Sequence, residues 1–156
     1  MYHGDMTTPT ASAPATLPSE QTVVIALGRV TARIQHQVEQ VLKTHGLTLT
    51  QHNALRILNG VWPGGLCGTE IGQRMISEVP DMTRLLDRMA EAGLIERERD
   101  PNNRRFVHAR ITDLGRERVA TVAPILNELH RKQLGRLCEA QRKALHEALL
   151  LLLEEG

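Results

Sequence analysis

Arginine residues concentrate in one short segment of this sequence. Residues 97–110 hold five arginines and His108, against only two acids, Glu98 and Asp100. A guanidinium group presents planar hydrogen-bond donors that match phosphate oxygens and the edge of guanine, so the segment has the chemistry of a nucleic-acid contact. Alternating apolar residues flank the polar loop 100–105, which predicts a β-hairpin with a basic tip, the basic hairpin (residues 94–111). Such a tip suits a narrow minor groove, although it could also serve only as a solubilising turn.

A second polar surface is predicted on a helix from about Pro80 to Ala92, with Pro80 at its first position. Its apolar stripe is Met82, Leu85, Leu86 and Met89, and its opposite face carries Asp81, Thr83, Arg84, Asp87, Arg88 and Glu91. Arg84 could bind guanine through two hydrogen bonds, and the shorter Thr83 and Asp81 could make close base or phosphate contacts. A solvated helix face is the alternative, but the neighbouring basic hairpin favours binding of duplex DNA in two grooves. The candidate DNA-binding residues are Thr69, Pro80, Asp81, Met82, Thr83, Arg84, Arg88, Arg97, Asn103, Arg104 and Arg105.

Catalytic and metal-binding patterns are missing from the sequence. It has no glycine-rich phosphate loop and no nucleophile elbow, and its seven histidines include no i, i+4 pair within one helix. We therefore expect no enzymatic activity, no cofactor and no metal. Cys67 could act as an oxidation switch, but a plain small residue is the favoured interpretation. Cys138 is expected to be a partly buried cap of the last helix.

Composition limits the kind of fold and partner. Hydrophobic residues make up 41% of 156 residues, yet Phe, Trp and Tyr occur once each, so the core must consist of aliphatic residues and methionine, which favours packed helices. The scarcity of aromatic residues argues against single-stranded nucleic acid, which stacks on aromatic faces. A net charge of +1 gives no global basic field. No signal peptide is recognisable and the apolar run 148–153 is too short for a membrane span, so we expect a soluble cytoplasmic protein without a membrane partner.

Periodicity and capping residues predict the remaining elements. A helix is expected from a cap at Ser19 to about Gly46, and a second helix is expected to be capped by Thr50. A short helix should follow from about Thr69 to Met75, and Thr112 should cap a long helix bent at Pro124. A last helix is predicted over residues 139–153.

Together these elements predict a mainly α-helical fold with one small β-hairpin. Residues 1–18 are expected to be a disordered tail, and residues 48–111 a compact lobe that contains the polar helix and the basic hairpin. The helices flanking the lobe, in residues 19–47 and 112–156, have more apolar surface than the lobe can cover. This surplus, above all the leucines of residues 149–153, predicts a homodimer.

The sequence resembles the MarR family of winged helix-turn-helix regulators. Four features match in order over nearly all of residues 20–153: Leu47–Gln51; Asp81–Met89; Gly93–Arg97; and Asp100–Arg105 leading to Ile111–Gly115. The resemblance implies a dimer with interlocking first and last helices and one winged helix-turn-helix lobe per subunit. It further implies a recognition helix at about Pro80–Ala92 and a wing arginine at Arg105. Such proteins commonly repress genes at palindromic sites, and many release DNA when a small ligand or oxidant arrives.

Two positions depart from the family pattern. Asn103 stands where an acid usually orients the wing arginine. Cys67 stands where Ser or Thr usually caps the first helix of the helix-turn-helix motif. By analogy, a small aromatic or anionic effector could bind in a crevice between the helical region and the lobe. The candidate ligand-binding residues are Arg33, His36, Gln37, His52 and Trp62, which could equally face water or bond across the dimer. A winged-helix module that binds protein and not DNA is the alternative function.

Overall fold

The computed structural model of the chain describes residues 17–99 and 107–154. Residues 1–16 of the predicted tail and the predicted hairpin tip at 100–105 lie outside the described residues. The chain divides into two units, residues 1–33 and 34–156, and each is considered by itself.

Helices account for most of the described chain, with a small antiparallel sheet, so the predicted fold class is confirmed. The elements are α1 (Glu20–Thr44), α2 (Leu49–Gly60), β1 (Leu66–Cys67), α3 (Gly68–Arg74), α4 (Met82–Glu91), β2 (Ile95–Arg99), β3 (Val107–Ile111), α5 (Asp113–Gln133) and α6 (Glu139–Leu153). The sheet has three strands in the order β1-β3-β2. The predicted hairpin is therefore joined by a third strand, β1, whose two residues are too few to give an alternating pattern.

Two predicted helix starts are wrong. Helix α2 is capped by Thr48 and not by Thr50: the Gln51 N–H donates to Thr48 Oγ1 at 3.1 Å, and the Thr48 N–H donates to Gln51 Oε1 at 3.0 Å. This reciprocal capping box satisfies two backbone donors, which Thr50 could not do from inside the first turn. Helix α4 begins after Asp81, whose carboxylate accepts the Arg84 N–H at 2.9 Å, so Pro80 precedes the helix.

The core of the second unit lies between the helices and one face of the sheet. Its fully buried side chains include Leu42, Leu55, Leu58, Ile71, Met89 and Val122. The predicted cap at Thr112 is confirmed, because its Oγ1 accepts the Gly115 N–H at 3.1 Å. The same hydroxyl donates to the Gly93 carbonyl at 2.7 Å, so the start of α5 is fixed to the turn that precedes β2.

Helix α6 has no buried residue. Its leucines from Leu149 to Leu153 are 37% to 76% exposed in the single chain. Cys138, which precedes this helix, is exposed, so its predicted partial burial is wrong for the single chain. In the first unit, α1 exposes Val23, Val24, Ile25 and Val30. None of the described helices combines the length and the apolar composition that a membrane span requires.

Candidate nucleic-acid interface

The solvent-facing side of α4 is polar. Thr83, Arg84, Asp87 and Arg88 are exposed, as are Asp81 at the cap and Pro80 before it. The other side packs inward through Leu86 and Met89, which are buried. Met82 is half-buried and packs against the core, and Thr69 is exposed near the start of α3. The structure therefore brings the predicted polar side chains of this helix onto one accessible face.

Helix α4 is joined to the sheet through a charged contact. Asp87 on α4 and Arg97 on β2 form an ion pair and hydrogen bond. The Arg97 side chain is 27% exposed, and its Nε is buried without a hydrogen-bond partner among the described residues. The sequence predicts Arg97 as a DNA contact, and the structure directs its guanidinium toward a carboxylate of the protein.

Strands β2 and β3 pair antiparallel, as a hairpin requires. Arg97 lies opposite Ala109, and Arg99 lies opposite Val107 at the loop end. Ala109 and Ile111 are buried, which confirms the predicted alternation. Arg110 pairs with Glu98 across the strands at 3.5 Å, and both side chains are about half exposed. The predicted contacts Asn103, Arg104 and Arg105 lie outside the described residues.

Cys67 lies at the junction of β1 and α3, opposite His108. Its backbone N–H donates to Glu70 Oε2 at 2.8 Å. The backbone hydrogen bond from Cys67 lowers the pKa of the Glu70 carboxyl, with smaller contributions from the Cys67 side chain, Arg74 and His108. The carboxylate therefore closes the first turn of α3 from inside the helix. The described residues contain no group of three His, Cys, Asp or Glu side chains that could hold a metal ion.

A cavity of about 600 Å³ lies within the second unit. Its walls come from the C-terminal part of α1, from α2 and from α5, and from the α3–α4 linker (residues 75–81). The linker residues in the wall are Met75, Ile76, Ser77, Glu78 and Val79. The cavity wall thus ends two residues before Asp81, the cap of α4.

The predicted ligand-binding residues are dispersed. Of the five, His52 lines the cavity. His36 is exposed on α1, and Arg33 is exposed in the first unit. Trp62 stacks under the Arg116 guanidinium, 4.0 Å from the ring centroid. Gln37 bonds to Gln133, a residue next to the cavity wall: Gln37 Oε1 accepts a hydrogen bond from Gln133 Nε2 at 2.9 Å.

The sequence interpretation missed two basic residues of this cavity, Arg56 and His130. Burial lowers the pKa of His52, with further lowering by Arg56 and His130. Arg56 follows His52 by four residues on one predicted helix, a spacing that could have identified the pair. His130 lies on α5, 78 residues after His52, and nothing in the sequence joins them.

Comparisons with known proteins agree on one family. A profile described as the MarR family matches residues 47–107. The crystal structure of a MarR transcription factor from Planctomyces limnophilus is 32% identical, covers 88% of this chain and 97% of its own, and has a TM-score of 0.68. The HTH-type transcriptional repressor IacR of Pseudomonas putida is 28% identical over 123 residues, which are 79% of this chain and 72% of IacR.

A third relative combines DNA binding with a ligand. It is Bordetella bronchiseptica BpsR, in a structure that concerns the regulation of its DNA binding by 6-hydroxynicotinic acid. The two chains are 20% identical and have a TM-score of 0.78, over 91% of this chain and 100% of the BpsR chain. At this identity the likeness concerns the fold.

Proposed function

This chain belongs to the MarR family of winged helix-turn-helix transcriptional regulators, and from that premise we propose that it is a homodimeric repressor of palindromic DNA sites whose binding is modulated by a small ligand. Its relatives are transcriptional regulators and not enzymes. The proposed recognition helix is α4, and the proposed wing is the basic hairpin.

The observation that carries the proposal is the accessible polar face of α4. Arg84 and Arg88 are exposed on a helix whose opposite side is buried, so the helix can enter a major groove while its core packing stays intact. Thr83 lies in its first turn and Asp81 at its cap, where base edges and phosphates come closest. Asn103, Arg104 and Arg105 are the proposed DNA contacts of the hairpin and Thr69 that of α3, while Arg97 supports the hairpin through its ion pair with Asp87.

A second copy of the chain is the proposed partner of α6. The single chain leaves five consecutive leucines, Leu149–Leu153, exposed at its C-terminal end. Apolar surface of this kind is the usual material of permanent dimer interfaces. Two-fold symmetry in the protein would require an inverted repeat in the DNA, with half-sites about one helical turn apart.

The repressor role, and the control of DNA binding by a small ligand, are proposed on two further grounds. IacR is named a repressor, and BpsR has its DNA binding regulated by a small aromatic acid. In this chain the cavity wall includes Val79, and Asp81 caps α4 two residues later. A molecule bound in the cavity would contact the α3–α4 linker, the segment that leads directly into α4.

The test is binding of fluorescent duplex DNA by the full chain across a salt series. A duplex selected from genomic fragments should bind with nanomolar affinity, and a random duplex should bind at least about 1,000-fold more weakly. Both affinities should fall steeply with salt, because phosphate contacts release counterions. Failure to bind any duplex at low salt would leave a protein-interaction module as the function.

A further inference from the structure

We propose that Met82, the first residue of α4, is a site of oxidation by hypochlorous acid and that its sulfoxide weakens DNA binding. The inference rests on the proposed function, to which it adds a chemical signal and the atom that receives the signal. It involves neither of the two thiols, Cys67 and Cys138, and no molecule in the cavity.

The side chain of Met82 lies across α3 at two glycines that are about one helical turn apart. A Cβ built on Gly68 would lie 3.4 Å from Met82 Cγ, and a Cβ built on Gly72 would lie 3.8 Å from Met82 Cε. Sδ is bonded to both of these carbons, so the thioether spans the surface of α3 from one glycine to the other. Neither glycine has a side chain that could cover the sulfur.

Packing does not require glycine at position 72. Outside its own helix and its chain neighbours, an added Cβ would meet Met82 Cε at an ordinary contact distance and no other atom of the described residues within 4 Å. Alanine would therefore fit, and it is the better helix former. Its methyl group would also close against the thioether. The effect of glycine here is to leave the half-buried Met82 side chain uncovered.

The described residues include three methionines, which differ in exposure and position. Met89 is fully buried. Met75 and Met82 are both half-buried, but Met75 follows α3 and lines the cavity, whereas Met82 begins α4. A small oxidant can therefore reach two of these three sulfurs. Of the two, Met82 is the one that belongs to the proposed recognition helix.

Oxidation of the thioether is a balanced oxygen transfer. Hypochlorous acid gives its oxygen to Sδ: an S–O bond forms, the O–Cl bond breaks, chlorine leaves as chloride and the proton of the acid is released. Sulfur is oxidised and chlorine is reduced. The product, methionine sulfoxide, is polar, and methionine sulfoxide reductases return it to the thioether. The modification is therefore reversible.

The sulfoxide would place a polar oxygen in an apolar contact. Leu86 Cδ1 lies 3.7 Å from the Cβ built on Gly68, so Leu86 and Met82 pack side by side on α3. The Leu86 side chain offers no hydrogen-bond donor. The sulfoxide oxygen must reach water to be satisfied, which draws Met82 away from α3. Because Asp81 and Thr83 are its chain neighbours, the first turn of α4 moves with Met82 and the proposed DNA contacts lose their alignment.

The experiment treats the full chain with hypochlorous acid and stops the reaction with free methionine. The background carries Cys67→Ser and Cys138→Ser, so thiol oxidation cannot account for the result. Mass spectrometry locates the added oxygen, and fragment spectra distinguish Met75 from Met82, which share the tryptic peptide between Arg74 and Arg84. Binding of the selected duplex is measured on the same samples.

We expect Met82 to be oxidised before Met89. DNA affinity should fall at least about tenfold as Met82 is oxidised, which is the scale of one buried polar group without a partner. Incubation with methionine sulfoxide reductases A and B should restore the affinity.

Variants assign the loss of affinity to Met82, and each is compared with its own untreated form. Met82→Leu keeps nearly the same volume without sulfur and should hold its affinity through the treatment. Met75→Leu is the matched control, half-buried but outside α4, and should lose affinity as the background does. Gly72→Ala should slow the oxidation of Met82. Gly28→Ala should not, because its added methyl group meets no atom of the described residues within 4 Å.

The proposal is overturned if oxidation of Met82 leaves DNA affinity unchanged, or if Met82→Leu loses affinity as the background does. Protection by Met75→Leu would overturn the assignment to Met82. Unchanged oxidation of Met82 in Gly72→Ala would refute the role given to the glycine. Untreated samples test the proposed function separately. If they bind no duplex, the proposed function fails; if they bind DNA and the treatment does not weaken binding, this inference alone is refuted.

Discussion

Asp87 and Arg97 form an ion pair that joins the exposed face of α4 to the second strand of the sheet. The pair connects the two elements proposed to enter neighbouring DNA grooves. Arg97 is the more buried partner, at 27% exposure against 50% for Asp87. Since one Arg97 nitrogen already bonds to Asp87, we expect this arginine to set the angle between helix and hairpin and to contribute little direct contact with phosphate.

Both Asp87→Ala and Arg97→Ala should therefore weaken binding to the selected DNA site. Loss of Asp87 removes a negative charge near phosphates, so weaker binding would have to come from poorer positioning. The stability cost should stay within about 1 kcal/mol, because the pair is partly exposed. A double-mutant cycle on DNA affinity measures the coupling between the two side chains.

Glu98→Ala is the matched control for the ion pair. It removes an acid from the same hairpin, where Glu98 pairs with Arg110 and not with α4. We expect this variant to bind DNA as well as the parent chain or better. If Asp87→Ala also strengthened DNA binding, the positioning role of the pair would be refuted. Arg97 would then be assigned a direct contact with phosphate.

Substitution of Arg84 and substitution of Arg105 should weaken DNA binding in different ways. Arg84→Ala should cost about 1–3 kcal/mol on the selected site and relax preference at one base pair per half-site, because the bidentate hydrogen bond to guanine is removed. Arg105→Ala should weaken selected and random duplexes more evenly and lower the salt slope by about one unit for each phosphate that is no longer neutralised. Binding measured across a salt series separates them. Equal losses for Arg84→Ala on both duplexes would contradict base reading by α4.

Asn103→Asp tests the departure from the family pattern at Asn103, two residues before Arg105. If an acid is needed to orient Arg105, the substitution should tighten DNA binding although it adds negative charge. Asn103→Ala is its control, since it removes the hydrogen-bonding side chain without adding charge. Weaker binding by the aspartate variant than by the alanine variant would show that repulsion from phosphate dominates.

Long-range periodicity made the helices predictable from sequence. The stripe of Leu86 and Met89 predicts which side of α4 is buried, and the alternation of Ala109 and Ile111 predicts the inner face of the hairpin. These patterns persist over several turns or strand residues, so a local error changes little. The polar face of α4 follows directly from the buried one.

Caps and the cavity were less accessible to sequence reasoning. Thr48 and Thr50 are both acceptable capping residues, and only the reciprocal bond with Gln51 distinguishes them. The cavity combines His52 with His130, two residues from separate helices that meet only after folding. A residue pattern along one element cannot indicate such a meeting. Trp62, assigned to the ligand set by analogy, lies outside this wall and stacks with Arg116.

The capping correction leads to a direct test of stability. Thr48→Ala should lower the free energy of unfolding by about 1 kcal/mol, because the Gln51 N–H loses its acceptor. Thr50→Ala is the control and should cost clearly less, since Thr50 lies inside α2. Urea unfolding of both variants gives the comparison. A larger loss for Thr50→Ala would contradict the capping box.

A charged residue in the leucine cluster of α6 should disrupt the proposed dimer. Leu152→Asp places a carboxylate at a position that is 71% exposed in the single chain, so a folded monomer can tolerate it. Sedimentation should detect dissociation of the dimer at micromolar concentration. Binding to a palindromic duplex should also be lost. Arg142→Glu changes the charge of an exposed residue on the same helix, outside the cluster, and should leave the dimer intact. A parent chain that sediments as a stable monomer would refute the dimer itself.

Among the described glycines, Gly115 is the position where a single added methyl group should be most damaging. A Cβ there would lie 2.2 Å from the Leu94 carbonyl oxygen and 2.8 Å from Ile111 Cγ1, and the backbone oxygen cannot retreat without moving the strand–helix junction. Gly115→Ala should therefore destabilise the fold by about 1–3 kcal/mol or more, although alanine is the better helix former. Gly28→Ala is the matched control: Gly28 also lies inside a helix, no atom of the described residues would lie within 4 Å of its added Cβ, and the change should stabilise the chain by up to about 1 kcal/mol. Thermal unfolding of the two variants measures both effects, and a neutral Gly115→Ala would contradict the close approach of α5 to Leu94.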